Sequence, residues 1–352
     1  MALSPTPARP SGRVRLVLPV EAAELSGCLS AVEQVGSSLW LAGDEVASLN
    51  RLVALDGGNF AQHRSFPLAD FFELPDGPDG EADLEGLAFD AADHSLWVVG
   101  SHSLRRKQPD PGASGKAARR ALAKVDSQAN RYLLGRIKLD VSARPPKPGK
   151  ARALPFQDGG NDLTRLLARD ELLKPFVALP SKDNGLDIEG LAVRNGTVLL
   201  GLRGPVLRGW ASILQLRPMK DGESHLSLTP VEDERLFMHH LLDLGGLGIR
   251  DLCAWGDDLL ILAGPTMVLD GPVRIYLLAG GFSLDQGTCI DGGRLRLLLE
   301  LAYGERCDHA EGMTVLQGSG GPDQLLVVYD SPAGGRSHHG RYYEADTFAI
   351  HR

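Results

Sequence analysis

The sequence lacks the features that mark several large classes of protein. Its four cysteines form no C-x-x-C pair, which favours reduced thiols over a disulfide framework. No stretch approaches the roughly 18 apolar residues of a membrane helix. The N-terminus is interrupted by prolines and has no apolar core of a signal peptide. These absences predict a cytoplasmic protein that does not interact with membranes.

Several binding and catalytic classes are also absent. The sequence contains no G-x-S-x-G elbow, no Walker A loop and no H-E-x-x-H motif, and no nucleotide cofactor is expected. The net charge of −8 argues against nucleic acid as a partner. Aromatic residues make up only 6% of the chain, so aliphatic side chains must supply most of the core.

What the chain does contain is a repeat of short apolar runs. With 42 glycines and 22 prolines, the composition is typical of many short strands joined by tight turns. Five runs are centred on Trp40, Trp97, Leu199, Leu260 and Leu326, and three of their four intervals are about 60 residues. The pattern predicts an all-β fold, a β-propeller with five blades counted. Six blades are the alternative if the long interval hides a degenerate blade.

The predicted domain covers residues 13–352, with residues 1–12 as a disordered tail. The last blade lacks an outer strand, so the N-terminal strand at 13–20 is expected to close the ring. The long interval predicts an insertion at 104–186 with a short helix at about 161–173, capped by Asn161 or Asp162. In the second blade, 120–126 and 131–139 are assigned as the third and fourth strands.

Three predicted blades begin with related motifs. These are Asp83-Leu84-Glu85-Gly86, Asp187-Ile188-Glu189-Gly190 and His309-Ala310-Glu311-Gly312. Residues two apart in a strand share a face, so each pair is expected to project together into one mouth of the central channel. The fourth blade has Arg250 where the others have glutamate, and the first contributes no charge there. The second strands return to the same mouth and end at Asp44, His102, Arg203 and Asp330.

Clustered carboxylates repel one another unless a cation offsets them. Calcium or another divalent metal is therefore a candidate ligand. The predicted metal ligands are Glu85, Glu189, Glu311, Asp187 and Asp83. The predicted catalytic residues are Glu189, Glu85, Glu311 and His309, and the predicted substrate-binding residues are Arg203, Arg208, Arg250 and His102. Two alternatives stay open: the carboxylates cap the blade starts, or Arg250 neutralises the glutamates without a metal.

The segment 184–211, NGLDIEGLAVRNGTVLLGLRGPVLRGWA, resembles the bacterial domain-of-unknown-function family 3616. The E-G-M-T segment at 311–314 and the chain length fit the same family, which has no settled activity. More distantly, the repeated E-G-L is similar to phytase-like esterase propellers, and the channel carboxylates are similar to those of calcium-dependent lactonase-type propellers. These resemblances imply a divalent ion and the hydrolysis of an ester or phosphoester.

The leading prediction is a divalent-metal-dependent hydrolase of a small anionic ester or phosphoester. The alternative is a non-enzymatic propeller that binds a protein partner or a small anion at the charged mouth. The expected state is a monomer or a small homo-oligomer.

Overall fold

The computed structural model describes residues 7–284, 287–304, 307–317, 323–332, 335–338 and 341–352. The prediction of an all-β chain is confirmed. The first strands are β1 (Gly12–Leu16), β2 (Leu29–Val35), β3 (Ser38–Gly43), β4 (Ser48–Ala54) and β5 (Phe60–Pro67). Strands β2 to β5 pair antiparallel in sequence order and form the first group. Strand β3 is buried along its whole length, because its Ser-Leu-Trp-Leu-Ala-Gly sequence packs on both faces.

The second group differs from its predicted form in the outer strands. Its elements are β6 (Leu84–Asp90), β7 (Ser95–Gly100), β8 (Arg105–Arg106), α1 (Gly115–Leu122), β9 (Val125–Asp126), β10 (Leu134–Asp140) and β11 (Lys147–Ala153). Strands β6, β7, β10 and β11 pair in that order. The predicted strand at 120–126 is wrong over most of its length. Ser114 caps α1, which runs to Leu122, by accepting from the Ala117 N–H, and only Val125–Asp126 form a strand. The prediction missed β11 as a strand because few of its residues are apolar.

Two short helices, α2 (Asp162–Leu167) and α3 (Lys174–Val177), follow the second group. Asn161 caps α2, as predicted, by accepting from the Thr164 N–H at 3.1 Å. The helix ends earlier than predicted. The Asp170 carboxylate accepts from the N–H groups of Leu172 and Leu173, both at 2.9 Å, and a separate turn begins there.

The third group is joined to the second along its outer edge. Its strands are β12 (Asp187–Arg194), β13 (Thr197–Leu207), β14 (Trp210–Asp221), β15 (His225–Thr229) and β16 (Phe237–Asp243). The first half of β14 pairs with β16, and its second half pairs with β15. Strand β15 then pairs parallel with β11 of the second group.

The last two groups complete the sheets. The fourth contains β17 (Gly248–Trp255), β18 (Asp258–Gly264), β19 (Val273–Leu278) and β21 (Leu295–Leu301), whereas the short β20 (Cys289–Ile290) pairs parallel with β16 of the third group. The fifth contains β22 (His309–Leu316), β23 (Gln324–Asp330), β24 (Ser337–His338) and β25 (Tyr342–Ala349). Strand β1 pairs antiparallel with β25, so the N-terminal segment supplies the outer strand that was predicted.

The predicted disordered tail is too long. The Ala8 N–H donates to the Glu300 carbonyl and the Ser11 N–H to the Thr347 carbonyl, both at 2.7 Å. The chain is thus held from Ala8 onward, and residues 1–6 lie outside the described residues. Among the described helices, none is long and apolar enough to cross a lipid bilayer.

The first strands of the five described groups pack around a common centre. They contact one another in the order β2, β6, β12, β17 and β22, and β22 contacts β2 again. Glycine after the motif glutamate permits this close approach. A Cβ on Gly86 would lie 2.6 Å from the Leu191 Cβ of the next first strand, and one on Gly190 would lie 2.8 Å from Leu252 Cγ. The glycine of each D-x-E-G motif is therefore explained by packing between groups.

Candidate functional site

Each of the five first strands carries a β-bulge at the same position. The register with the second strand shifts around one residue in each case, and in β12 it shifts a second time between Asp187 and Ile188. The residues at the bulges are Ser30, Glu85, Glu189, Arg250 and Glu311. A bulge interrupts the alternation of side chains and redirects the extra residue. The motif glutamates and Arg250 therefore owe their placement to a shared bulge, whereas the sequence analysis assumed strict alternation.

Arg203 holds two of the predicted carboxylates. Its guanidinium forms ion pairs with Asp187 and, at 2.6 Å, with Glu189. All three side chains are almost completely buried. Both terminal nitrogens of Arg203 are occupied by these carboxylates, so this arginine is not available as a fork for a substrate anion.

Arg250 connects two neighbouring first strands. It forms an ion pair with Glu311 and lies 3.7 Å from Glu189, and its other terminal nitrogen donates to the Pro265 carbonyl at 3.2 Å. These contacts agree with one of the alternatives drawn from the sequence, in which Arg250 neutralises the glutamates. Like Arg203, Arg250 has both terminal nitrogens in use.

A third arginine was missed by the sequence analysis. Arg131 pairs with Asp83 at 2.9 Å and also with Glu81. Arg131 lies in a short 3-10 turn, Ala129–Tyr132, whereas the prediction placed it at the start of a strand at 131–139. No local motif marks it, because its partners lie about 50 residues earlier in the sequence.

Glu85 is the motif glutamate without an arginine partner among the described residues. Burial and the carboxylates of Asp83, Glu189, Glu311 and Asp187 raise its pKa well above the usual value. Burial also raises the pKa of Glu189 to about 7, although the two arginines beside it oppose that change. These two carboxyl groups form the buried floor of the mouth.

Two further carboxyl groups lie beside Glu311. Burial raises the pKa of Asp44 to about 8, and the carboxylates of Asp330 and Glu311 add to the rise. Burial and Glu311 likewise raise the pKa of Asp330 to about 6. Near neutral pH, Asp44 keeps its proton while Asp330 is mostly ionised. Neighbouring carboxyl groups with different pKa values can act as an acid and a base.

A cavity of about 710 Å³ opens at this end of the strands. Arg250, His309, Glu311 and Asp330 line one part of it. The lining also includes the apolar side chains of Met267, Val268, Leu269 and Tyr303. Val268 and Leu269 are exposed for 83% and 58% of their surface, so the cavity has an uncovered apolar wall.

The remaining predicted residues occupy different places. His309 is exposed at the cavity, whereas Glu85 and Glu189 are buried and do not line it. Arg208 is exposed in the turn between β13 and β14. His102 is buried: its Nδ1–H donates to the Gly100 carbonyl at 2.8 Å, and its Nε2 accepts from the Asn161 amide at 2.9 Å. Burial lowers the pKa of His102 to about 4, so this neutral residue supports the α2 cap and is not a cationic ligand for an anion.

The predicted metal ligands do not assemble into a metal site. Over the described ranges, no three His, Cys, Asp or Glu side chains are grouped so that they could hold a metal ion. Asp83, Asp187, Glu189 and Glu311 are each neutralised by an arginine. These carboxylates are thus already paired with arginines. Such an arrangement does not fit a cage of carboxylate ligands for calcium.

The structure therefore defines an all-β protein in which antiparallel groups surround a centre with a mouth of mixed charge. The chain belongs to the family described as "Protein of unknown function (DUF3616)", whose model matches residues 28–346. No curated protein sequence matches the chain at a significant level.

Three solved structures illustrate what the fold is similar to. Glutaminyl cyclase of Myxococcus xanthus is 9% identical, with a TM-score of 0.42 and coverage of 97% of each chain. An α-L-arabinanase of Cellvibrio cellulosa, complexed with arabinohexaose, is 11% identical, with a TM-score of 0.42 and coverage of 96% of this chain and 93% of its own. The PQQ-bound aldose sugar dehydrogenase of Streptomyces coelicolor is 13% identical, with a TM-score of 0.37 and coverage of 97% and 100%. Similarity at this level says nothing about the reaction.

Proposed function

We propose that the chain is a five-bladed β-propeller whose mouth hydrolyses small esters. The observation that carries the proposal is that one cavity is lined both by Asp330, Glu311 and His309 and by apolar side chains. Five described groups of strands, linked through their first strands and completed by β1, support the blade count.

The roles follow from the protonation of the two aspartates. Asp330, with a pKa of about 6, is suited to take a proton from water as the water attacks the ester carbonyl carbon. Asp44, with a pKa of about 8, still holds a proton near neutral pH and donates it to the alkoxide that leaves. The ion pair between Arg250 and Glu311 fixes one side of this acidic cluster.

The charges favour an uncharged substrate over the anionic one predicted from the sequence. Arg203 and Arg250 are already neutralised by carboxylates, and Asp44 and Asp330 add further acidity. The cavity lining also contains Arg106, Lys107 and Lys182, so the repulsion of an anion is local to Asp330 and Glu311, where the reaction is proposed. The apolar wall at Val268 is suited to the acyl or alkyl group of an ester.

No step of this reaction is assigned to a divalent metal, because the carboxylates do not form a site that fits one. Activity measured with and without a chelator tests that part of the proposal. Activity that disappears with the chelator and returns with calcium would restore the metal-dependent mechanism.

The test uses p-nitrophenyl acetate, butyrate and octanoate with the purified chain. We expect hydrolysis that Asp330→Asn reduces by about 100-fold or more, as is common for loss of a general base. Asp257→Asn is the matched control, since the Asp257 side chain is 82% exposed in the β17–β18 turn. Leu269→Ser should raise KM for the octanoate more than for the acetate. No hydrolysis of any ester by the wild type, or equal rates in the wild type and Asp330→Asn, would contradict the proposal and favour the non-enzymatic alternative.

A further inference from the structure

A second cavity, of about 570 Å³, lies over β10 and β11 and shares no lining residue with the mouth. Its wall carries six cationic side chains and two carboxylates. The cations are Arg136, Lys138, Lys147, Lys150, Arg152 and Lys220, and the acids are Asp93 and Asp140. We call this set the basic groove. An excess of four positive charges at one place contrasts with a net charge of −8 for the chain.

The strand register places like charges against one another. Arg136 of β10 stands directly opposite Arg152 of β11. Directly opposed like charges destabilise an antiparallel pair. Asp93 relieves part of this repulsion through an ion pair of 2.7 Å with Arg136. Arg152 has no such ion pair among the described residues, and its Nε donates only to the Gly222 carbonyl at 3.4 Å.

A β-bulge concentrates further charge beside that pair. The register of β10 and β11 shifts between Ile137 and Leu139, so Lys138 faces the bulged segment that contains Lys150. Lys138, Lys147, Lys150 and Lys220 are all exposed. Asp140 of β10 stands directly opposite Lys147 of β11, so it is the acid that the strand register places beside the lysines. In the described part of the chain, no carboxylate lies within 4 Å of Lys138, Lys150 or Lys220.

We propose that the basic groove binds a compact polyanion with two or more phosphate or sulfate groups. Lysine ammonium groups bind phosphate as point charges, and the terminal nitrogens of Arg152 add a planar fork that can hold two of its oxygens. A volume of about 570 Å³ accommodates a small molecule. Such a ligand offsets the repulsion that the register builds into the two strands.

The charge of the rest of the chain favours a compact ligand over a long one. A nucleic acid that filled the groove would extend beyond it over a chain that is acidic as a whole. A small polyanion keeps its charge inside the groove. Nucleic-acid binding is therefore the outcome that the experiment has to distinguish.

The probe is inorganic tripolyphosphate, titrated calorimetrically into the purified chain at low salt. We expect saturable binding, with orthophosphate about tenfold weaker or worse because it makes fewer charge-assisted contacts. The double variant Lys138→Gln/Lys150→Gln should weaken tripolyphosphate binding by about tenfold or more. The control Lys116→Gln/Lys124→Gln removes two exposed lysines in and beside α1 and should bind like the wild type.

Thermal unfolding gives an independent readout. Tripolyphosphate should raise the melting temperature of the wild type and of the control but not of the groove variant. Absence of binding, equal affinity for orthophosphate (an adventitious ion only), or equal weakening in both double variants would overturn the proposal. A single-stranded oligonucleotide is the competing ligand. If it binds more tightly than tripolyphosphate, and the groove variant loses that binding, the ligand of the groove is a nucleic acid and the proposal of a compact polyanion is wrong. Ester hydrolysis plays no part in any of these outcomes.

Discussion

Replacement of Arg203 by methionine tests the ion pairs that hold the buried floor of the mouth. The substitution keeps an unbranched side chain about as long as the aliphatic part of the arginine and removes the charged guanidinium. It leaves the carboxylates of Asp187 and Glu189, each 2% exposed, without their shared partner. Removal of one partner from a buried ion pair costs about 3–5 kcal/mol of folding free energy.

The same magnitude follows from protonation. A carboxyl group with a pKa near 4 in the unfolded chain can avoid buried charge by taking up a proton. Protonation of one such group costs about 4 kcal/mol at about pH 7 and about 1.4 kcal/mol at about pH 5. Loss of Arg203 removes the charge that opposes the raised pKa of Glu189, so the native state of the variant binds more protons than the unfolded state. The free energy of unfolding of the variant therefore falls as the pH rises, and the deficit is larger at about pH 7.

The assay is urea unfolding followed by tryptophan fluorescence at both pH values. Arg208→Met is the matched control, because Arg208 lies exposed in the turn that follows the same strand. It should change stability by less than about 0.5 kcal/mol. A loss below about 1 kcal/mol for Arg203→Met at about pH 7, or the same loss at both pH values, would refute the account of the buried pairs.

Two further predictions concern contacts between neighbouring groups. Asp251→Ala should lower the free energy of unfolding by about 1–3 kcal/mol, because the buried Met313 N–H loses its acceptor at 2.7 Å. Urea titration measures this loss, and a loss under about 0.5 kcal/mol would contradict it. Gly86→Ala should destabilise the fold by about 1–3 kcal/mol, since its Cβ would lie 2.6 Å from the Leu191 Cβ. Gly115→Ala is the control, because no atom lies within 4 Å of the added Cβ in α1, and it should stabilise the fold by about 0.5–1 kcal/mol. Thermal melts compare the two variants. A lower melting temperature for Gly115→Ala than for Gly86→Ala would contradict the packing explanation.

The sequence predicts most of the inner strands because they are apolar and bounded by turn residues. Asn195-Gly196, for example, connects β12 and β13 with positive φ at both residues, as a two-residue hairpin requires. The outer strands are harder to predict. Strand β11 has a polar sequence that gives little periodic signal, and the apolar positions of α1 fit a strand as well as a helix.

The carboxylates of the mouth can be picked out from the sequence. The arginines that neutralise them cannot be assigned from the sequence alone. Which arginine neutralises which acid depends on contacts between distant segments, as the pairing of Arg131 with Asp83 shows. The bulges that place Glu85 and Arg250 are set by strand register, which has no local motif. A pattern of acids alone therefore suggests a cation site, whereas the folded chain supplies most of the cations itself.

The pH dependence of kcat/KM for p-nitrophenyl butyrate tests the proposed mouth most directly. The pKa values of about 6 for Asp330 and about 8 for Asp44 predict a bell-shaped profile with limbs near those two values. The residual activity of Asp330→Asn should lack the rising limb, and that of Asp44→Asn should lack the falling limb. A profile without a limb near 6, or one that both substitutions leave unchanged, would contradict the assignment of these two aspartates as base and acid.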